Sequence, residues 1–231
     1  MVDELRTEFA NIVADPPAAL IVTSSRPDVF CAGADLKERA ALSARDARAL
    51  SRDLRQSFSE LAALPCPTIA VIEGFALGGG AELALACDIR VASDRAVFGF
   101  PETTLAIIPG AGGTQRLPRL VGISRAKELI FTGRRVDGRE AAHMNLVDFL
   151  VSSEKEGAAI EKAMNLAHAM TECGPLALQL AKTAINNGME MDIERGLAIE
   201  AACYYQTIPT RDRNEGVAAF NERRKPEYVG E

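Results

Sequence analysis

Through its first half the chain alternates short apolar runs with glycine-rich turns and one long amphipathic stretch. Ala18–Ser24 (AALIVTS), Thr68–Ile72 (TIAVI) and Ile89–Ala92 (IRVA) are continuous apolar runs of strand length, the pattern of strands covered on both faces. Between the first two lies Ser43–Leu64, where Ala47, Leu50, Leu54, Phe58 and Leu61 recur at helical spacing and form one apolar stripe. Ser43 is placed to cap that helix, with Asp46 at the third helical position. Arg45, Arg48, Arg52 and Arg55 fall on the opposite side, within a stripe of their own.

From Arg116 onward the pattern becomes helical. Ser124–Phe131 is one helix, and Asp137–Asn145 opens with a D-x-x-E cap formed by Asp137 and Glu140. Glu154–Met170, Pro175–Asn187, Asp192–Gln206 and Arg211–Arg224 follow, with Pro175 suited to a first turn and Gly188 to a helix end. Strands followed by helices imply an α/β core and a C-terminal helical region, which we divide at residues 1–173 and 174–231.

Composition narrows the chemistry. The 231 residues are enough for one sizeable core, and 48% hydrophobic with 25% charged residues is ordinary for a globular protein. A net charge of −6 argues against bulk electrostatic binding to nucleic acid or to an anionic membrane. No apolar run reaches the length of about 18–20 residues that spans a bilayer. The start, MVDELRTEFANIV, resembles neither a secretory signal nor a transit peptide, so a targeting segment is not expected within this chain. Cys31, Cys66, Cys87, Cys173 and Cys203 are odd in number and scattered, which reads as reduced thiols in a reducing compartment. Only His143 and His168 are present, both in helix-like stretches, and no G-x-S-x-G accompanies them. A histidine metal site and a Ser-His-Asp triad are therefore not expected.

The most informative stretch is Gly74–Asp88, GFALGGGAELALACD, in which three glycines follow a strand and open a helix. Glycine lets the backbone adopt conformations other residues resist, and a helix N-terminus suits an anion or a developing oxyanion. Glu82 stands in the first turn of that helix. A tight turn with a dipole-favoured glutamate explains the segment equally well. A dinucleotide reading fails at Leu83, and the second cluster, Pro109–Thr114 (PGAGGT), fails it at Gln115. Glu102 lies between Phe98 and Phe100 and the apolar Leu105–Pro109 run, where a carboxyl is either salt-bridged or has its charged form disfavoured by desolvation. The second case suits acid–base work near neutral pH. In Val29–Lys37, VFCAGADLK, small residues again allow a ligand near the backbone.

At these three elements the chain resembles the enoyl-CoA hydratase/isomerase (crotonase) superfamily. The matching motifs are CAGADLKER, GFALGGGAELALACD and FGFPETTLAIIPGAGGTQRLPR, in the family's order, and the likeness continues through KELIFTGRRVDGREA to the end. The C-terminal half, with AIEAACYYQTIPTRDRNEGVAAF, looks closest to the methylglutaconyl-CoA hydratase branch, some of whose members also bind AU-rich RNA. The resemblance implies a spiral of β-β-α turns with a C-terminal helical trimerisation region, assembled as trimers or paired trimers. It implies an acyl-CoA thioester as substrate and no permanently bound cofactor. Ala34 and Gly79 match the positions whose N–H groups face the thioester oxygen. Glu82 matches the residue that holds and deprotonates water, and Glu102 the one that protonates Cα. The CoA arm and acyl group are implied along Ala32, Asp35, Leu36, Lys37, Phe75, Leu77, Gly78, Pro101, Thr104, Leu105, Pro109 and Gly110. Tyr204, Phe220 and Arg223 match positions that close the nucleotide end.

Two departures stand out. The family's pattern opens with a strand pair carrying an L-N-R-P-like segment ahead of the point where this chain starts, implying an uncovered sheet edge and fewer CoA contacts. Phe100 stands where many straight-chain hydratases have a polar residue, implying a more apolar or shorter acyl pocket. The readings are then hydration of an enoyl-CoA, double-bond isomerisation on the same scaffold, RNA binding through Lys37, Arg39 and the arginine stripe, or a non-catalytic relative. Isomerases commonly keep one of the two carboxylates, so the pair favours hydration. The arginine stripe is more simply a solvated helix face. Location follows the source: the mitochondrial matrix in a eukaryote, otherwise the cytoplasm.

Overall fold

Each pass of the chain through the core lays one strand in each of two sheets and then turns into a helix. The computed structural model describes residues 2–231, apart from the side chains of Leu36, Glu38 and Arg39. After α1 (Val2–Ala14), β1 (Leu20–Val22) and β2 (Val29–Cys31) lead to α2 (Leu36–Ala41) and α3 (Ala44–Ala62). The next pass is β3 (Thr68–Ile72), β4 (Phe75–Leu77) and α4 (Gly79–Ala86). The third is β5 (Ile89–Ser93) and β6 (Val97–Gly99), then a short 3-10 helix at Pro101–Leu105, α5 (Gly113–Val121) and α6 (Ile123–Thr132). Then come β7 (Arg135–Asp137), α7 (Gly138–His143), β8 (Phe149–Val151), α8 (Ala158–Thr171), α9 (Pro175–Gly188), α10 (Ile193–Thr207) and α11 (Arg211–Glu222).

In the first three passes the first strand joins one sheet and the second strand the other; in the last the order reverses, giving sheets ordered β1-β3-β5-β8 and β2-β4-β6-β7. The pairs β3–β5, β5–β8, β2–β4 and β4–β6 are parallel, and β6–β7 is antiparallel. This is the spiral of β-β-α turns implied by the resemblance. All five residues of β3 are buried, which is why TIAVI is apolar without alternation.

Two compact units result. The first comprises Met1–Ala10, Ile21–Ala62 and Thr68–Met164 and carries nearly all of both sheets. Its core includes Phe58, Leu61, Ile69, Ile72, Val91, Phe98, Phe100, Leu117 and Leu129. Buried Arg90 fastens β5 within it. Its guanidinium donates to the carbonyls of Cys87 (2.8 Å) and Leu146 (3.0 Å) and pairs with Asp148 at 2.7 Å.

The second unit comprises Asn11–Leu20, Ala63–Pro67 and Asn165–Glu231. There α9 and α10 approach closely where Gly188 meets Gly196. An apolar groove of about 660 Å³ runs among α9, α10 and α11, lined by Leu180, Cys203, Tyr204, Val217 and Tyr228, among others. The last residues are strapped to α11: Asp212, buried, accepts from the N–H groups of Val229 (2.7 Å) and Gly230 (2.8 Å). Glu215 accepts from Arg224 (2.6 and 2.8 Å) and from the N–H of Glu227 (2.9 Å).

Sequence and structure agree closely at capped ends. The Ser43 hydroxyl accepts from the N–H of Asp46, and Asp137 accepts from Glu140 at 2.8 Å. They differ where turns intervene. The Ala18–Ser24 run pairs only over Leu20–Val22, because Ser24 already accepts from the N–H of Arg26 and bends the chain. The Glu154–Met170 helix begins later, at Ala158, after a turn closed by Ser152 and by Gly157 at φ 72°. The last helix stops at Glu222, because Arg223 is left-handed at φ 57° and caps it. The three-residue strands β2, β4, β6, β7 and β8 carry no periodic signal long enough to read, whereas α1 was missed although Val2, Leu5, Phe9 and Ile12 recur at helical spacing.

Replacing Arg90 with Met leaves the carbonyl oxygens of Cys87 and Leu146 without their donor, while partly exposed Asp148 keeps the Arg90 N–H, so we expect a loss of about 2–4 kcal/mol in urea denaturation. In the tail, Arg224 first and then the Glu227 N–H hold the Glu215 carboxyl down to about 2, from an ordinary 4.5. A depressed carboxylate favours the strapped tail above its unfolded value and loses that contribution as pH falls toward the folded one. Protection factors of the amides in residues 225–231, taken relative to the intrinsic exchange rate at each pH, should therefore fall between about pH 4.5 and 2. An unchanged pattern across that window contradicts the strap.

Candidate active site

The site is built on backbone contacts too close to admit side chains. A Cβ on Gly80 would lie 1.9 Å from the carbonyl oxygen of Cys31, so the start of α4 rests directly on the end of β2. Beyond β2, Gly33 at φ 88° turns residues 32–35 back toward α4. A Cβ there would lie 2.9 Å from the Leu77 oxygen and 3.5 Å from the Gly79 nitrogen. The Ala32–Asp35 loop and the first residue of α4 are thus neighbours. Gly79 heads α4, so its N–H has no acceptor within that helix. Asp35 closes its own loop by accepting from the N–H of Lys37 at 2.8 Å.

Gly78, at φ 54°, joins the remaining parts. Its N–H donates to Gly99 of β6 at 2.9 Å, and its carbonyl accepts from the N–H of Glu82, also at 2.9 Å. A Cβ on Gly78 would lie 3.0 Å from Glu102 Oε1. The Gly78–Gly79 turn thus meets the Glu102 carboxylate at Gly78 and carries the backbone of Glu82 one helical turn further on.

Glu82 is 3% exposed and tightly held. Its Oε1 accepts from the N–H groups of Ala111 and Gly113, each at 2.8 Å. A Cβ on Gly113 would come within 3.0 Å of that same oxygen, which explains the small residues of PGAGGT. Gly110, beside them, is tied by its carbonyl to Arg55 (3.1 Å) and Ser51 (3.4 Å) of α3. Arg55 is thus engaged with this loop rather than simply solvated. Glu102 is 8% exposed, in the first turn of the 3-10 helix behind Pro101, with Phe98 and Phe100 buried at 1% each. Its carbonyl accepts from Ile107 N–H, and Ala106 at φ 57° ends the turn. Leu105, Ile107 and Ile108 are exposed just beyond it, an apolar rim beside a buried acid. Arg116 is half-buried near Glu82. Desolvation pulls its guanidinium below the ordinary arginine value, and the charge of Glu82 acts in the opposite sense.

The first unit thus brings together Ala34, Gly78, Gly79, Glu82, Pro101, Glu102, Pro109 and Gly110. Phe75 is partly exposed on β4, its ring 5.6 Å from the Arg135 guanidinium; Leu77 is half-buried, and Thr104 is exposed with its hydroxyl donating to Pro101. The side chain of Leu36 lies outside those described. Tyr204, Phe220 and Arg223 belong to the second unit, where Tyr204 lines the apolar groove and Phe220 is 84% exposed. Sequence reasoning missed the donors Ala111 and Gly113 and the role of Arg116. The available signal was the second glycine cluster, PGAGGT, whose small residues admit a carboxylate oxygen against the backbone. No helix among the described residues is long and apolar enough to cross a membrane.

The sequence profile of the enoyl-CoA hydratase/isomerase family matches residues 1–231. The human mitochondrial methylglutaconyl-CoA hydratase is 55% identical over 213 residues, covering 92% of this chain and 63% of that protein. The chain thus spans less than two thirds of that relative. A probable mitochondrial enoyl-CoA hydratase 2 of Arabidopsis thaliana is 52% identical over 231 residues, covering 100% of this chain and 76% of that one. The crystal structure of an enoyl-CoA hydratase from Bacillus anthracis superposes with a TM-score of 0.95 at 47% identity, covering 100% of this chain and 88% of that one.

The two glycines at the start of α4 should behave differently. Gly80→Ala is expected to cost about 3 kcal/mol, because helix and strand must separate. Gly79→Ala, whose nearest contact is Gly33 Cα at 4.0 Å, should stay within about 1 kcal/mol of the unaltered chain. Denaturant titration compares them, and equal stabilities would rule out the packing argument.

Proposed function

The chain belongs to the enoyl-CoA hydratase/isomerase family, and on that premise we propose that it adds water across the 2,3-double bond of an enoyl-CoA thioester, giving the 3-hydroxyacyl-CoA. The observation that carries this reading is one glycine turn that borders the Ala32–Asp35 loop, has the Glu102 carboxylate against Gly78 and opens the helix bearing buried Glu82. Water addition needs a base for the water, an acid for Cα and stabilisation of charge on the thioester oxygen. The N–H groups of Ala34 and Gly79 take the last role, aided by the positive end of α4. One such donor contributes about 3–4 kcal/mol to the transition state.

Glu82 is the base. Its Oε1 is committed to Ala111 and Gly113, leaving Oε2 to accept from water and take its proton. The oxygen of that water bonds to Cβ, the π electrons move toward the thioester oxygen, and Glu102 delivers a proton to Cα. H and OH are thereby added, and proton exchange with solvent restores both carboxyls. The CoA arm lies along Ala32, Asp35, Leu36 and Lys37, and the acyl group toward Phe75, Leu77, Leu105 and the apolar rim. Tyr204, Phe220 and Arg223 close the nucleotide end. Residues 1–173 form the active-site core and 174–231 the helical region of a homotrimer or dimer of trimers. The exposed Ile193, Tyr204, Val217 and Phe220 of that region support the assembly. The substrate is 3-methylglutaconyl-CoA or a short-chain enoyl-CoA, and the protein works in the mitochondrial matrix of a eukaryote or the cytoplasm of a bacterium. The name of the human relative supports the first substrate.

The test is the change in enoyl absorbance with crotonyl-CoA and with 3-methylglutaconyl-CoA. Glu82→Gln and Glu102→Gln should each lower kcat by about 10²–10⁴-fold with KM within a few-fold. A chain that hydrates neither thioester overturns the proposal, and a variant of near-normal turnover removes that residue from the mechanism.

A further inference from the structure

Glu82 does not hold itself in place; the Ala111–Gly113 loop does, and that loop has its own support. The carbonyl of Ala111 lies between the two N–H groups that grip Glu82, and it accepts from Nη1 of Arg116 at 3.1 Å. The Nη1 end of the guanidinium also lies close against the loop's middle residue. A Cβ on Gly112 would fall 2.1 Å from Nη1, and Gly112 sits at φ 118°, where only glycine is at ease. The second nitrogen, Nη2, reaches back to the carbonyl of Phe58 on α3 at 3.5 Å. Arg116 thus spans from α3 to the loop, and its charge acts on Glu82 without a direct bond between them.

We infer that Arg116 is the positioning residue for the catalytic base: it fixes the peptide between Ala111 and Gly113 so that both N–H groups point at Glu82 Oε1. This rests on the hydratase reading above. The planar, forked guanidinium suits the task, because one rigid group meets Ala111, Gly112 and Phe58 together. Without it, the peptide carrying the Gly112 nitrogen and Ala111 oxygen is free to rotate, and the Glu82 carboxylate loses its fixed direction toward water. Misplacement of a reacting group by a fraction of an ångström lowers turnover while leaving substrate binding largely intact.

The full chain is compared with its Arg116→Met, Arg116→Lys and Arg116→Ala variants, using the enoyl-CoA that the unaltered chain hydrates. We expect Arg116→Met to lower kcat about 10–100-fold with KM within about twofold. Arg116→Lys should regain a substantial part of the rate, and millimolar guanidinium chloride should raise the rate of Arg116→Ala. A purely structural arginine gives neither rescue, since guanidinium weakens packing rather than restoring it. Exchange of the Ala111 and Gly113 amides should quicken in Arg116→Met, with global stability checked by denaturant titration.

A kcat within twofold in Arg116→Met overturns the inference. So does a KM rising in step with the loss of kcat, or an Arg116→Ala rate that guanidinium leaves unchanged. If the unaltered chain hydrates nothing, the reaction assignment fails instead. Arg116 is then judged by exchange alone, and unchanged protection at Ala111 and Gly113 sinks it.

Discussion

Two backbones meet where Gly80 of α4 rests on the carbonyl of Cys31, at a distance that excludes a single methyl group. The rest of the site follows from that approach. With α4 seated on β2, its first residue lies beside the Ala32–Asp35 loop, and N–H groups from two separate passes of the chain become neighbours. The same seating directs Glu82 toward the Ala111–Gly113 loop. A larger residue at position 80 changes this geometry before it changes any catalytic group.

The two glutamates are then placed in different surroundings. Glu82 is gripped through one oxygen by two peptide N–H groups of a loop that is itself tied to α3 and α5. Glu102 rises from a single 3-10 turn among buried phenylalanines, with exposed Leu105, Ile107 and Ile108 beyond it. A carboxylate fixed by amides keeps its direction, and a carboxyl beside apolar surface is near where an acyl chain would lie. The proposed division of base and acid between two residues of one type rests on these differences of environment.

Charged side chains act mainly as braces for backbone. Arg90 binds two carbonyls and Asp148 beneath β5, Arg55 binds Gly110, and Arg116 binds Ala111. The arginine stripe on α3 looked like a solvated face when read by helical spacing alone. Its last member proves to be part of the frame around the site, because a loop fifty-five residues later packs over that end of α3.

Local signals in the sequence carried much of this. The TIAVI run, the Ser43 and Asp137 caps and the helices from α6 to α11 depend on neighbours within a few positions, so spacing reveals them. Spacing alone left Glu82 open between a dipole-favoured helix start and a chemical role, and it was the resemblance of the Gly74–Asp88 and Phe98–Arg119 motifs to the enoyl-CoA hydratase/isomerase family that marked Glu82 and Glu102 as a pair. The three-residue strands β2, β4, β6, β7 and β8 were invisible, since their stability comes from partners about twenty to sixty residues away rather than from their own pattern. The grip of Ala111 and Gly113 on Glu82, and of Arg116 on their loop, was equally hidden. The first joins residues about thirty positions apart; Arg116 lies only five residues from Ala111 but also reaches Phe58, fifty-eight away, and the partners are mostly peptide groups, which every residue carries and no sequence pattern distinguishes.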